Sequence, residues 1–183
     1  GELEFSANFR WRNVAVTRYL EEQFPRYSFI LENDTKAVAL AEHSFGASAG
    51  CRNMVVLNLS DGIGAAVILN GEIYRGQDNM AGEIGHITLN PAGKICECGK
   101  VGCLQTHLSP RTILAEARSV YPDVTLSELF DLFQRRDPFA VGLISQLVEY
   151  TSIAINLLAN TYAPEVMLLC GSMLRQSPLF PAL

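Results

Sequence analysis

The stretch HITLNPAGKICECGKVGC, residues 86–103, packs three cysteines into eight residues, ten residues behind a histidine. Cys96-Glu-Cys98-Gly-Lys-Val-Gly-Cys103 reads C-x-C-x4-C, with glycines at 99 and 102. Glycine tolerates the left-handed backbone a short chain needs to curl back, so the three sulfurs can converge on one point. Three thiols packed together are costly without a metal. A redox pair takes the C-x-x-C spacing, and an iron–sulfur cluster needs a fourth ligand and an electron-transfer setting. Zn2+ takes four N or S donors in a tetrahedron, and four protein donors with no open position mark a structural site. His86 is the natural fourth donor, because it ends a glycine-rich loop and opens a predicted strand that runs into the cysteines. His43 and His107 are the alternatives, and both fall inside predicted helices. Structural zinc on His86, Cys96, Cys98 and Cys103 is the expectation.

The other two cysteines, Cys51 and Cys170, stand alone. An odd total of five fits a reducing, cytoplasmic setting better than a disulfide scaffold, and the lone pair read as small, semi-buried hydrophobes. The chain is 49% hydrophobic and 18% charged, with mean hydropathy +0.16, which is a globular composition. Its 183 residues suffice for one sizeable core or two small lobes. A net charge of -5 argues against this segment being a nucleic-acid surface on its own. The apolar runs read as too short to span a bilayer, and GELEFSANFRW has no basic start before an apolar core, so no membrane contact or signal peptide is expected. A start without Met and an end at SPLFPAL, soon after an apolar strand, suggest a fragment.

Working outward from the cysteines, the order of elements reads as α/β. Residues 11–24 carry Trp11, Val14, Ala15, Tyr19 and Leu20 at helical spacing. YSFIL (27–31) reads as a short buried strand, and Asn33 caps a helix over 34–46 that ends at Gly46. Two β-branched runs, 53–60 and 65–70, bracket DGIG, and Asn70-Gly71 predicts a tight hairpin turn into EIY. The loop 75–86 leads to HITL as a short strand. Helices follow at 109–120, 125–136 and 137–163, the last apolar on most faces and so predicted to be central and buried. PEVMLLCGS (164–172) predicts a strand into a glycine turn.

Asp34 falls in the first turn of a helix after a strand. Asn33 and Asp34 suit a plain helix N-terminus, the reading that spacing alone favours; the alternative is a carboxylate at a strand end, where α/β proteins place ligands, and there it can take a proton from a substrate hydroxyl. The turn Ser60-Asp61-Gly62-Ile63-Gly64 reads either as a plain hairpin or as a phosphate turn on Gly62 and Gly64, with Asp61 repelling phosphate. Ala81-Gly-Glu83-Ile-Gly-His86 sets an acid and an imidazole three apart, which suits a ligand with many hydroxyls.

Together and in this order, ENDTKAVALAE (32–42), DGIGAAVILNGEIYRG (61–76), AGEIGH (81–86), C-x-C-G-x-x-G-C-L (96–104) and PEVMLLCGS (164–172) resemble the ROK family of repressors, open reading frames and sugar kinases. The resemblance implies an actin-like, hexokinase-like (ribonuclease H-like) α/β fold in two lobes, divided here into 1–48 and 49–183, with a zinc loop at 86–103. It implies that Asn33, Asp34, Glu83, His86 and Gln105 face a sugar or sugar phosphate, and that Asp34 is the base where the protein is a kinase using Mg-ATP. His86 would serve both zinc and sugar. Kinases of the family carry a Gly-Thr-Gly phosphate loop, which Ser60-Asp61-Gly62 replaces, and Gln105 stands where the family has a Glu. The repressors also carry a winged helix before this region. The expectation is the sugar-sensing part of a ROK repressor of the N-acetylglucosamine or xylose type, binding operator DNA through an upstream domain as a homodimer or larger oligomer; the alternative is a sugar kinase.

Overall fold

A computed structural model describes residues 1–6 and 10–175. The C-terminal SPLFPAL therefore lies outside the described residues. A four-stranded sheet organises the fold, its strands β3 (Met54–Leu59), β4 (Ile63–Leu69), β5 (Glu72–Ile73) and β6 (Val166–Cys170) lying in the order β5-β4-β3-β6. Strands β3 and β4 form an antiparallel hairpin, with Leu59 opposite Ile63, and β5 continues the meander. The turn into β5 is Asn70-Gly71, with φ of 54° and 87°, the doubly left-handed backbone that a two-residue hairpin requires. Strand β6 lies parallel to β3 on its other side, so the sheet is mixed.

Strand residues alternate faces, and both faces of this sheet are covered. Val55, Leu57 and Leu59, with Ile63, Ala65 and Val67, pack into the larger core beneath the C-terminal helices. Met54, Val56, Ala66 and Ile68 face the other way, onto Ala39 of a helix over Asp34–Phe45. Every residue of β3 is buried, as expected for a central strand.

The N-terminal elements differ from the expected ones. Trp11–Val14 is not the start of a helix but strand β2, paired antiparallel with β1 (Leu3–Ser6) so that Trp11 lies opposite Ser6 and Val14 opposite Leu3. Arg10 and Asn13 have left-handed φ, which no helix accommodates, and helix α1 is confined to Val16–Gln23 with no buried residue. YSFIL is not a strand. No described strand lies beside it to complete a ladder, and Ile30 is 93% exposed. Helix α2 (Asp34–Phe45) begins as expected: the Asn33 side chain accepts from the Lys36 N–H at 3.1 Å.

HITL contributes only a single bridge, Thr88 to Cys103. The helices that follow are α3 (Gln105–Leu108), α4 (Pro110–Ala117), α5 (Leu126–Gln134) and α6 (Pro138–Tyr162). The starts of α4, α5 and α6 carry side-chain caps. Ser109 precedes Pro110, Thr125 and Glu128 form a reciprocal capping box, and Asp137 takes the Ala140 N–H while accepting from the Tyr121 hydroxyl at 2.7 Å. Helix α6 is 25 residues long, and contrary to the sequence reading it is long and apolar enough to cross a membrane by length and composition. It is not buried all round either. Leu143, Ile144, Leu147, Ala154 and Leu158 join the core, whereas Val148 is 56% exposed. A short α7 (Ser172–Arg175) closes the described chain.

Candidate functional site

The cysteine segment curls as its glycines require, with Gly99 and Gly102 at φ of 88° and 70°. The Cys96 N–H donates to Lys100 O at 2.8 Å, the Gly99 N–H to Cys96 O at 2.9 Å, and Leu104 N–H returns to Ile87 O at 2.9 Å, stitching the loop to the residues after His86. The ligand atoms of His86, Cys96, Cys98 and Cys103 all lie within 4.8 Å of one another. His86 Nδ1 is 3.6 Å from Cys96 Sγ, and the Cys98 and Cys103 sulfurs are 3.7 Å apart. Metal–sulfur bonds of about 2.3 Å in a tetrahedron give an edge of about 3.8 Å, so one ion fits between these four donors. Burial, reinforced by the Cys98 and Cys96 sulfurs beside it, pushes the Cys103 thiol up to about 12. Burial also acts upward on Cys98, but hydrogen bonds from the Lys100 backbone, Cys96 and Cys103 outweigh it and bring that thiol below its ordinary value. Bare, the thiols compete for ionisation; a divalent cation would relieve the competition. Neither alternative histidine takes part. His43 Nε2 bonds Cys51 O at 3.0 Å, and His107 stacks on Tyr150 at 4.1 Å. All five cysteines are free thiols, Cys51 and Cys170 half-buried.

Three consecutive residues at the start of β4 anchor the other candidate residues. Ala65 N–H donates to Gly82 O at 2.7 Å, and a Cβ on Gly82 would sit 1.9 Å from Ala65 O. A Cβ on Gly85 would sit 2.2 Å from Ile63 O. Both glycines thus let AGEIGH lie flat on the strand, in a 3-10 turn over Ile84–His86 that carries exposed Glu83 and half-buried His86. Ile63 N–H donates to Gln105 Oε1 at 3.3 Å, which fixes the start of α3. Gly64 faces the Thr35 hydroxyl of α2, 3.4 Å from an added Cβ, and so meets the turn that carries Asn33 and Asp34. Asp34 Oδ1 accepts from Thr35 N–H at 2.7 Å and from Thr35 Oγ1 at 3.3 Å. Asn33 and Asp34 are both exposed.

The hairpin turn between β3 and β4 leaves Gly62 open to space and Asp61 exposed. Ser60 Oγ accepts from Ser172 N–H at 3.1 Å, tying this turn to the Gly171-Ser172 turn after β6.

Sequence reading missed Lys36. It is 1% exposed, and its ammonium donates to the backbone oxygen of Asn79 and, at 2.9 Å, to Asn79 Oδ1. Glu32 joins the same cluster, accepting from Arg75 and, at 3.4 Å, from Asn79 Nδ2. Burial lowers the Lys36 pKa, against the opposing charges of Glu32 and Glu83. The cluster clamps the segment before AGEIGH onto the first turn of α2, where Asp78 and Asn79 hold left-handed φ of 51° and 61°. A Lys on the helix face that also carries Ala39 was the available signal.

The ROK family profile matches residues 1–183. The chain is 29% identical to the xylose repressor of Bacillus spizizenii over 97% of its own length and 46% of that protein. It is 33% identical to a glucokinase of Halalkalibacterium halodurans over 93% of its length and 56% of that protein. Among solved structures, it matches a ROK hexokinase from Thermus thermophilus at a TM-score of 0.79 and 39% identity, covering 90% of this chain and 57% of that one. The chain thus spans about half the length of the curated relatives it matches. Its mixed α/β sheet is that of the hexokinase-like neighbours, and repressors and sugar kinases both stand among its relatives. With this fold, this His/Cys cluster and a profile match along its whole length, the chain belongs to the ROK family.

Proposed function

We propose that this chain is the sugar-responsive effector part of a cytoplasmic ROK transcriptional regulator. The observation that carries the reading is the turn at Ser60-Asp61-Gly62. An acid stands where a phosphate would need a neutral or positive surface, and the Ser60 hydroxyl already occupies the Ser172 N–H. Beside this turn, the residues proposed for the sugar (Asn33, Asp34, Glu83, His86 and Gln105) all have their anchors on Ile63, Gly64 and Ala65 or on the first turn of α2. Similarity to the xylose repressor supports the reading.

In this account His86, Cys96, Cys98 and Cys103 hold a structural zinc ion, which supplies a fixed centre and no reaction step. With Nδ1 turned toward the sulfurs, Nε2 of His86 is the nitrogen left for a sugar hydroxyl, and the clamp sets its tautomer and angle. Residues 1–48 complete an N-terminal lobe and residues 49–183 belong to a C-terminal lobe. A sugar or sugar phosphate between them changes their angle, and so the spacing of two DNA-binding heads in a homodimer on operator DNA.

A specific observation favours a second reading, an ATP-dependent sugar kinase. Asp34 is exposed, and its Oδ1 is held by Thr35, so the carboxylate is oriented as a base for a sugar hydroxyl would be, with Mg-ATP as the phosphoryl donor. A coupled assay on the full-length protein with glucose, N-acetylglucosamine and xylose separates the two. The regulator reading expects no ATP-dependent turnover; turnover that Asp34→Asn abolishes would replace it with the kinase.

A further inference from the structure

Strand β3 carries one polar residue among its buried apolar ones, Asn58, which is 8% exposed. It sits opposite Cys170, at the carboxyl ends of the two parallel strands β3 and β6. Its Nδ2 is 3.1 Å from Thr35 Oγ1, and its Oδ1 is 2.9 Å from Ser60 Oγ. Thr35, itself 3% exposed, reaches Asp34 Oδ1, and Ser60 receives the Ser172 N–H. A hydrogen-bonded chain therefore runs from the Gly171-Ser172 turn to the Asp34 carboxylate.

The Asp34 end fixes the direction of every link. Thr35 has a single hydroxyl proton and gives it to Asp34 Oδ1, so Thr35 Oγ1 accepts from Asn58 Nδ2. That leaves Asn58 Oδ1 facing Ser60, whose hydroxyl donates to it. A backbone N–H only donates, so Ser60 Oγ accepts from Ser172 with a lone pair it has free. No member has to play two incompatible roles. Aligned donors of this kind polarise one another in a buried setting. Gly171 makes the approach possible: at φ of 117°, a Cβ there would lie 2.3 Å from Leu59 O and 2.8 Å from Asn58 Oδ1.

We infer that Asn58 is a positioning residue, which holds Asp34 through Thr35 and registers at Asp34 the placement of the Gly171-Ser172 turn. The inference rests on the reading of Asp34 as a sugar ligand. A buried asparagine is otherwise a costly choice in a central strand, since each of its polar atoms needs a partner. Here both find one, and the partners lie on two different turns.

The test uses the full-length protein and four forms: wild type, Thr35→Val, Thr35→Ser and Ser60→Ala, each checked for a thermal midpoint near wild type. Amide exchange at Ser172, followed by NMR without ligand, reads the far end of the chain. Affinity for glucose, N-acetylglucosamine and xylose, by calorimetry, reads the near end. Thr35→Val keeps the side-chain shape and removes the hydroxyl. It is expected to speed Ser172 exchange about fivefold and to weaken binding of the sugar that wild type takes by about tenfold, the scale of lost hydrogen bonds to neutral and charged partners. Thr35→Ser restores both to within about twofold, and Ser60→Ala reproduces the loss of sugar affinity from the far side. Ser172 exchange unmoved by Thr35→Val, or a Thr35→Ser that behaves like Thr35→Val, overturns the inference. Wild type that takes none of the three sugars removes the sugar reading instead, and Ser172 exchange still decides the relay.

Discussion

Nδ1 of His86 lies 3.6 Å from Sγ of Cys96, a tetrahedral edge between two donors that stand ten residues apart in the chain. The Cys98–Cys103 edge, at 3.7 Å, has the same length. Purified protein is therefore expected to carry about one zinc per chain by elemental analysis. Cys98→Ser should lose the metal and lower the thermal midpoint by more than about 10 °C, because a site of this kind contributes folding free energy directly. Wild-type protein that a strong chelator strips of metal without moving its midpoint would show that the cluster does not hold the fold.

Gly82 and Gly62 give a contrast within one region. A Cβ at Gly82 meets the backbone oxygen of Ala65 at 1.9 Å and is strained by a φ of 97°, whereas Gly62 has open space. Gly82→Ala should cost about 3 kcal/mol or more in urea unfolding. Gly62→Ala should stay within about 0.5 kcal/mol of wild type. Equal effects would mean that AGEIGH does not rest on β4 in this way.

Lys36→Met removes a buried ammonium and leaves both Asn79 oxygens without their donor. The expected loss at neutral pH is about 1–3 kcal/mol. Wild type should also show a pH dependence that the variant lacks. Burial holds the folded Lys36 pKa below its ordinary 10.5, so between the two values the unfolded chain keeps a proton that the folded chain has released. The unfolded state binds more protons in that window, and stability rises with pH through it; below the folded pKa the contribution is flat. Urea midpoints for both proteins across the alkaline range up to 10.5 give the difference directly. Parallel curves would place the Lys36 ammonium in solvent.

Where local chemistry decides structure, the sequence was readable. The C-x-C-x4-C spacing with His86, the Asn33 cap and the Asn70-Gly71 turn each depend on a few neighbouring residues, and each stands where expected. The N-terminal errors have one cause. Trp11–Val14 was read from helical periodicity and YSFIL as a short buried strand, but strand pairing decides both: 11–14 finds Leu3–Ser6, and 27–31 finds no described partner. Helix α6 was misjudged because an apolar sequence does not say which face meets the core, and Val148 remains exposed. Lys36, Thr35 and Asn58 were missed because Lys36 meets Asn79 and Thr35 meets Asn58 across distant segments, and Ser60 beside Asn58 is tied to the still more distant Ser172. A lone polar residue in an apolar strand, as in VVLNLS, was the visible sign.

The regulator reading meets its most direct test in fluorescence anisotropy of the full-length protein on labelled DNA from upstream of its own coding region. Glucose, N-acetylglucosamine and xylose are added in turn. The account predicts tight, salt-sensitive binding that one of these sugars, or its phosphate, changes by about tenfold or more. It predicts that Glu83→Gln blunts that response while DNA binding without sugar persists. Protein that ignores the DNA at every sugar concentration, yet phosphorylates one of these sugars with ATP, would contradict it.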